Sequence, residues 1–167
     1  SYTSQLEDIV FCNDRIYYNF DTSGWDKDYS NYDKRLYFSS RQRLENKEPS
    51  LLCPRQVDKF TVSTDNGNGK LTYPVGMITA EEMAFAGGVI WQTNTSYYLY
   101  NGVNNWSISP FYFDYSGADN FALNSSGGFG YYYVGGLLGA RPSISLKKGT
   151  VLSGGTGTAT DPYIVLS

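Results

Sequence analysis

Residues 106–134 read WSISPFYFDYSGADNFALNSSGGFGYYYV, and this stretch decides the fold class. Trp106, Ser107, Ile108, Ser109 and Pro110 alternate large and small side chains, as a half-buried strand does. Residues 120–124 and 130–134 read as two further strands, joined by the turn sequence Ser125-Ser126-Gly127-Gly128. The whole span 107–146 uses no Lys, Glu, Gln, Met or Trp. It is written instead in Tyr, Phe, Ser, Gly, Asn, Asp and Ala with a few aliphatics. Antibody-like contact surfaces use that vocabulary: Tyr gives large area at low entropic cost, while Ser, Gly and Asn adapt. An ordinary antiparallel sheet with polar turns accounts for the same composition.

Working outward, residues 79–86 predict the one short helix. Thr79 is placed to cap it, with Glu82 three residues on completing a capping box. Glu81 and Glu82 lie in the first turn, where the helix dipole favours negative charge. Met83 and Phe85 supply bulk for burial, and Gly87-Gly88 ends the helix. Asp65-Asn66-Gly67-Asn68-Gly69 predicts a hairpin between residues 60–62 and 71–73. Residues 141–146 alternate again, and 162–166 form a terminal strand expected to pair with the strand near Ile9. Residues 13–48 read as a loop-rich excursion along one edge, anchored by aromatics, after which Leu51-Leu52-Cys53-Pro54 returns to the core. The expectation is a single α+β domain over residues 1–167, β-rich, with its N- and C-terminal strands paired.

The chain has 167 residues, enough for one domain with a core, and 17% charged against 41% hydrophobic residues is a globular balance. A net charge of −3 with scattered Lys and Arg argues against a nucleic-acid binder. Two cysteines, Cys12 and Cys53, suggest one disulfide in an oxidising compartment, with two buried free thiols as the alternative. There is no histidine, so the usual Ser-His-Asp and Cys-His nucleophile systems are unavailable and ordinary zinc ligation is nearly excluded. No cofactor motif is present. Gly154-Gly155-Thr156-Gly157-Thr158 lacks the lysine and helix of a phosphate loop and reads as a turn. For glycoside hydrolysis the available acids are Asp114 with Asp119, better explained as turn formers, and Glu81 with Glu82, better explained by capping. Asp65-Asn66-Gly67-Asn68 and Asp26-Lys27-Asp28 are the best oxygen clusters for calcium. Neither matches an EF-hand loop, so no metal site is expected.

Several ordered motifs resemble a family of Gram-positive gut bacterial surface proteins with a pilin-like N-terminal helix. They are Phe11-Cys12-Asn13-Asp14-Arg15, the run from Leu71-Thr72-Tyr73-Pro74 through Thr79-Ala80-Glu81-Glu82, and Ala86-Gly87-Gly88. Trp106-Ser107-Ile108-Ser109-Pro110, Gly139-Ala140-Arg141-Pro142-Ser143-Ile144-Ser145-Leu146, Gly154-Gly155-Thr156-Gly157-Thr158 and Asp161-Pro162-Tyr163-Ile164-Val165 complete the set. The resemblance spans most of residues 9–166. It implies a surface or pilus-associated protein with an anchor helix upstream of residue 1, through which alone it would meet a membrane. The bracket from Trp106-Ser107-Ile108-Ser109-Pro110 to Gly139-Ala140-Arg141-Pro142 is also similar to C-type-lectin-like domains of the formylglycine-generating-enzyme type. Those include the variable proteins of diversity-generating retroelements. In these, adenine-directed mutagenesis rewrites codons near the C-terminus and cannot produce Lys, Glu, Gln, Met or Trp there. The sugar-and-calcium motifs of true C-type lectins are absent. The catalytic cysteines of the formylglycine-generating enzyme have no counterpart, so enzyme activity is not implied.

The resulting expectation is a non-catalytic, adhesin-like extracellular domain that binds a protein or glycan on another cell, phage or host surface. Its expected contact face is Tyr112, Phe113, Asp114, Tyr115, Asp119, Phe129, Tyr131, Tyr132 and Tyr133, within 107–136. In the strand Tyr131-Tyr132-Tyr133, the outer two share one face and Tyr132 takes the other. Arg141 and Trp106 serve the framework. The alternatives are a structural pilin or pseudopilin domain that packs on neighbouring subunits, and, ranking lower, a glycan-active enzyme.

Overall fold

The structure is a computed structural model that describes residues 2–18, 36–114, 117–158 and 160–166. Its strands and helices follow in the order β1 (Phe11–Cys12), β2 (Tyr17–Tyr18), β3 (Leu36–Phe38), α1 (Ser39–Glu45), β4 (Lys59–Phe60), β5 (Gly76–Met77) and α2 (Ala80–Phe85). Then come β6 (Asn105–Asp114), β7 (Gly117–Leu123), β8 (Phe129–Tyr133), β9 (Pro142–Ser143), β10 (Leu152–Gly154) and β11 (Ile164–Val165). This is a β-rich α+β domain. Its centre is a five-stranded antiparallel sheet in the order β2-β3-β6-β7-β8, and three two-stranded ladders pair β1 with β4, β5 with β9 and β10 with β11.

The quoted stretch supplies the three longest strands, in the sequence-predicted order. Along β6 burial alternates, with Asn105, Ser107, Ser109 and Phe111 inward. The inward residues at the start of the strand are the small ones, because α2 docks there. Ser109 Oγ accepts the Ala80 N–H at 3.0 Å and the Ile108 N–H donates to the Ile78 carbonyl at 2.9 Å. A larger side chain at 107 or 109 would hold the helix off the sheet. Leu44 of α1 and Ala80 and Met83 of α2 are buried against this face. Leu44, Ala80, Met83, Ile90, Tyr97, Phe111, Phe121, Leu123 and Phe129 form the core, and each fully buried large side chain contributes roughly 1.5–3 kcal/mol.

Helix α2 carries the full capping box. Glu82 accepts the Thr79 N–H at 2.7 Å while Thr79 Oγ1 accepts the Glu82 N–H at 3.1 Å. Met83 is buried, but Phe85 is exposed, since it lies on the helix face turned away from the sheet. Glu81 does more than complement the dipole. It is buried and receives Arg43 of α1, which also donates to the buried Asp14 at 2.9 Å. Burial pulls the Arg43 pKa down, yet the hydrogen bonds and charges of Glu81 and Asp14 outweigh it and leave it raised. A single guanidinium therefore ties the N-terminal segment to both helices.

Cys12 and Cys53 form a disulfide with Cα atoms 5.8 Å apart. It closes a 41-residue separation, worth about 3–4 kcal/mol in the chain-entropy view, and it places the domain in a non-reducing environment. Beside it, the fully buried Asp58 accepts the Arg15 Nε–H at 2.7 Å. Phe11 packs flat on Gly76, where a Cβ would sit 2.2 Å from the ring.

Five expectations are corrected. The terminal strand does not pair near Ile9. It folds back on β10, because Gly155 (φ +85°) and Gly157 (φ +79°) allow a tight local turn that costs less loop entropy than reaching the N-terminus. The N-terminal segment instead meets residues 145–147, through Glu7 N–H to Ser145 O and Lys147 N–H to Gln5 O, both 2.8 Å. The Asp65–Gly69 turn forms, but its arms do not become a ladder: Lys59–Phe60 is already paired with β1, and Leu71 N–H to Thr61 O is what remains of the hairpin. The 13–48 excursion holds a second helix, α1, which lacks a side-chain N-cap and is held by Leu44 in the core and an Arg41–Glu45 pair. Leu51 and Leu52 stay exposed, because Pro54 and the disulfide turn that segment along the surface. Of the alternating run 141–146, Pro142–Ser143 alone is a strand, paired with β5. No helix among the described residues is long and apolar enough to cross a membrane.

Candidate functional site

The site begins with an irregularity in β6. Pro110 pairs with Asn120 and Tyr112 with Asp119, so one extra residue, Phe111, is inserted between them. Proline lacks the N–H that a regular ladder would use, and a bulge accommodates it. The bulge turns Phe111 and Tyr112 toward the same cluster. Phe111 stacks on Tyr131 with centroids 4.5 Å apart and meets Phe121 edge-on at 4.9 Å, while Tyr112 meets Tyr131 edge-on at 5.7 Å.

Strand register then draws a line across the sheet. Tyr18 pairs with Tyr37, Tyr37 with Tyr112, Tyr112 with Asp119 and Asp119 with Tyr133. Directly paired residues share a face, so four tyrosines and one aspartate form a row spanning all five strands. Asp119 is 6% exposed within it. Arg41 of α1 lies over the Tyr37 ring at 3.9 Å and the Phe111 ring at 4.9 Å, closing the lower side of the row.

Tyr131, Tyr132 and Tyr133 are 47%, 51% and 55% exposed on the edge strand. Tyr131 and Tyr133 lie on the helix-bearing face, and Tyr132 lies on the other, edge-on to Trp106 at 6.1 Å. Tyr112 is half-buried. Phe113 is 40% exposed on the opposite face from Tyr112, and Asp114 is buried, accepting the Gly117 N–H at 3.1 Å to shape the β6–β7 turn. Tyr115 lies outside the described residues. Phe129 is 2% exposed in the core and supports the face from beneath rather than presenting itself.

Three contributors were not legible as site residues: Trp91, Glu45 and Arg41. Trp91 is 53% exposed and adopts φ +66°, a left-handed conformation that a bulky residue rarely takes. Its indole N–H donates to Glu45 Oε1 at 3.3 Å, the same atom that accepts Arg41 Nε–H at 2.8 Å. The ring meets Phe111 and Tyr131 edge-on, at 5.6 and 5.9 Å. A missed i, i+4 pair, Arg41 with Glu45, was the available sequence signal for α1. Nothing local announces the backbone of Trp91.

A cleft of about 350 Å³ opens beside β8, lined among others by Trp91, Gln92, Asn104, Asn124, Tyr132 and Leu138. None of its lining residues is charged. Among the described residues no group of three or more His, Cys, Asp or Glu gathers to hold a metal ion. The Asp65–Asn68 cluster forms a turn, and Asp26-Lys27-Asp28 lies outside the described residues. Of the framework pair, Arg141 donates to the Leu99 carbonyl and Trp106 hydrogen-bonds through its backbone to Gly139.

The chain was compared with protein-family models, with curated proteins and with solved structures, and none matches it.

Proposed function

We propose that this is an extracellular, non-catalytic binding domain that engages a protein or glycan on another cell, phage or host surface. It does so through the tyrosine-rich rim of β6–β8. The observation that carries this is three consecutive tyrosines, each about half exposed, on a sheet edge backed by a packed aromatic cluster. Rigid aromatic side chains on a rigid scaffold lose little entropy on binding, which is what a contact surface needs. A C-type-lectin-like fold of the formylglycine-generating-enzyme type and diversification by a retroelement belong to the same proposal. Their support is the sequence bracket around 106–142 and the residue vocabulary between. The disulfide supports display outside the cell. The non-catalytic reading draws on the burial of both Asp114 and Asp119.

The test is binding of the purified domain to intact cells of candidate partner surfaces. Tyr133→Ala and Tyr132→Ala should each remove binding while the protein stays folded by circular dichroism. Unchanged binding in both would defeat the proposal.

A second reading, a structural pilin-type subunit, draws on the β10–β11 hairpin, where Leu152, Tyr163 and Ile164 are all exposed. Two-stranded hairpins are marginal in water without a packing partner. Self-association by sedimentation, lost on Ile164→Lys, would favour it.

A further inference from the structure

We infer that the cleft between Trp91 and Tyr132 binds an uncharged sugar ring without a metal ion; this rests on the proposal that the domain is a ligand binder and names the ligand class of one part of its surface. Four observations lead there. The first is the pair of aromatic flanks. The Trp91 N–H is already given to Glu45, so the indole offers a ligand only its ring surface. Tyr132 stands on the other side of the edge strand and lines the same cleft. Aromatic ring surfaces suit ligands with apolar C–H patches, which a pyranose presents.

The second is the set of amides. Asn124 Oδ1 accepts from Ser126 N–H at 3.0 Å, Ser126 Oγ–H at 2.7 Å and Gly128 N–H at 2.7 Å. Asn104 Oδ1 accepts the Ser125 N–H at 2.7 Å. Backbone N–H groups only donate, so both oxygens are fixed by the turn, and among the described residues both amide N–H₂ groups of these cleft-lining side chains remain as donors. Gln92 adds a further amide. Sugar hydroxyls and ring oxygens accept such donors. The third is the absence of charge on the lining, which selects against anionic or cationic groups by offering them no partner in return for desolvation.

The fourth concerns the backbone of the sheet edge. Beside the cleft, the outward-facing backbone of Phe129 is already used: Trp91 N–H donates to its carbonyl at 2.9 Å and its N–H donates to Gln92 O at 3.3 Å. At Phe129 the edge is closed by the chain itself, so recognition at this end of the cleft runs through side chains. A volume of about 350 Å³ lies at the small end of ligand pockets, ~300–1,000 Å³, and suits one or two rings. The strained Trp91 backbone fits a residue held in place for contact rather than for packing.

The test titrates the domain with glucose, galactose, mannose and N-acetylglucosamine, and with glucuronate and N-acetylneuraminate as charged controls. Amide NMR shifts and tryptophan fluorescence are the readouts. At least one neutral sugar should saturate, with an affinity on the order of millimolar, and should shift the Asn104, Asn124 and Tyr132 amides. Neither acid should do so. Trp91→Gly keeps the left-handed backbone and removes the ring, and should weaken binding by at least about tenfold. Should that variant fail to fold, Tyr132→Ala and Asn104→Ala must each weaken the sugar. No saturating neutral sugar, or shifts that map away from the cleft, overturns the inference. If that happens while cell binding still depends on Tyr133, which does not line the cleft, the binding-domain proposal stands and the sugar assignment alone falls. Loss of both sinks both.

Discussion

The Tyr131 ring lies parallel to that of Phe111, 4.5 Å between centroids and 16° between planes, with its outer half open to solvent. It is at once the roof of the core and the floor of the candidate face. Tyr132 meets Trp106 only edge-on, at 6.1 Å, and Tyr133 stacks on no ring among the described residues. The three tyrosines should therefore separate on substitution. Tyr131→Ala opens a gap over Phe111 and loses the stacked pair, costing about 2 kcal/mol. Tyr132→Ala and Tyr133→Ala should cost about 0.5–1 kcal/mol. Denaturant unfolding of the three variants checks the order. Equal losses would mean that Tyr131 is a surface residue like the others.

Glu45 holds two groups at one oxygen, Arg41 and Trp91. Glu45→Ala removes the acceptor that both side chains share. The pair is near the surface, so the stability loss should be no more than about 1 kcal/mol. The indole, however, loses its anchor, and tryptophan emission should move to the red and become more accessible to a neutral quencher such as acrylamide. Emission identical to the parent would remove Glu45 from the site.

Ser109 tests the docking of α2. Its Oγ accepts the buried Ala80 N–H at 3.0 Å. Ser109→Ala leaves that donor unpaired in the core, at a cost of about 1–3 kcal/mol. Ser107→Leu and Ser109→Leu should be worse, because the added volume lies between sheet and helix. Thermal unfolding followed by far-UV circular dichroism measures both. Leucine variants as stable as the parent would show that the helix does not rest on these positions.

What the sequence discloses is what local chemistry decides. Thr79 with Glu82, the Ser125–Gly128 turn between β7 and β8, and the paired cysteines each act through neighbours in sequence or through residue type alone. What stays hidden depends on distant partners. Helix α1 has no cap and owes its place to Leu44 in the core and to Arg43 between Asp14 and Glu81. Which face of β6 turns inward is set by a helix that arrives from residues far earlier in the chain, and it is the serine face. Phe129 reads like the tyrosines after it, yet it lies at the start of the strand, over the core, while the same face emerges toward solvent at Tyr133. Trp91 carries no local signal, because its left-handed backbone follows from the bond of its N–H to Phe129 and its indole to Glu45.

The disulfide has a direct check. Non-reduced protein should resist alkylation at Cys12 and Cys53, and reduction should expose both. Reduction should also lower unfolding stability by about 3–4 kcal/mol, the loop-closure entropy returned to the unfolded chain. Alkylation of both thiols without reductant contradicts the bridge.

Tyr97 gives a pH dependence of definite sign. Its ring is in the core, and its hydroxyl is buried with no hydrogen-bond partner among the described residues. Burial raises its pKa to about 12, against a smaller lowering by Arg141. The folded state thus holds this proton more tightly than the unfolded chain, where tyrosine titrates near ~10. The corresponding stability is fully present below about pH 10 and is lost as pH rises from there through about 12. Tyr97→Phe keeps the ring and removes both the ionisation and the unpaired hydroxyl. At neutral pH the variant should be as stable as the parent or more stable by up to about 1 kcal/mol. Between pH 10 and pH 12 its advantage should grow, because this one proton no longer contributes to the alkaline slope. The comparison between the two proteins cancels the titration of the other tyrosines, which both share. Denaturant midpoints measured at pH 7, 10 and 11 decide it: a constant difference across the three would show that Tyr97 ionises in the folded protein as it does in the unfolded chain.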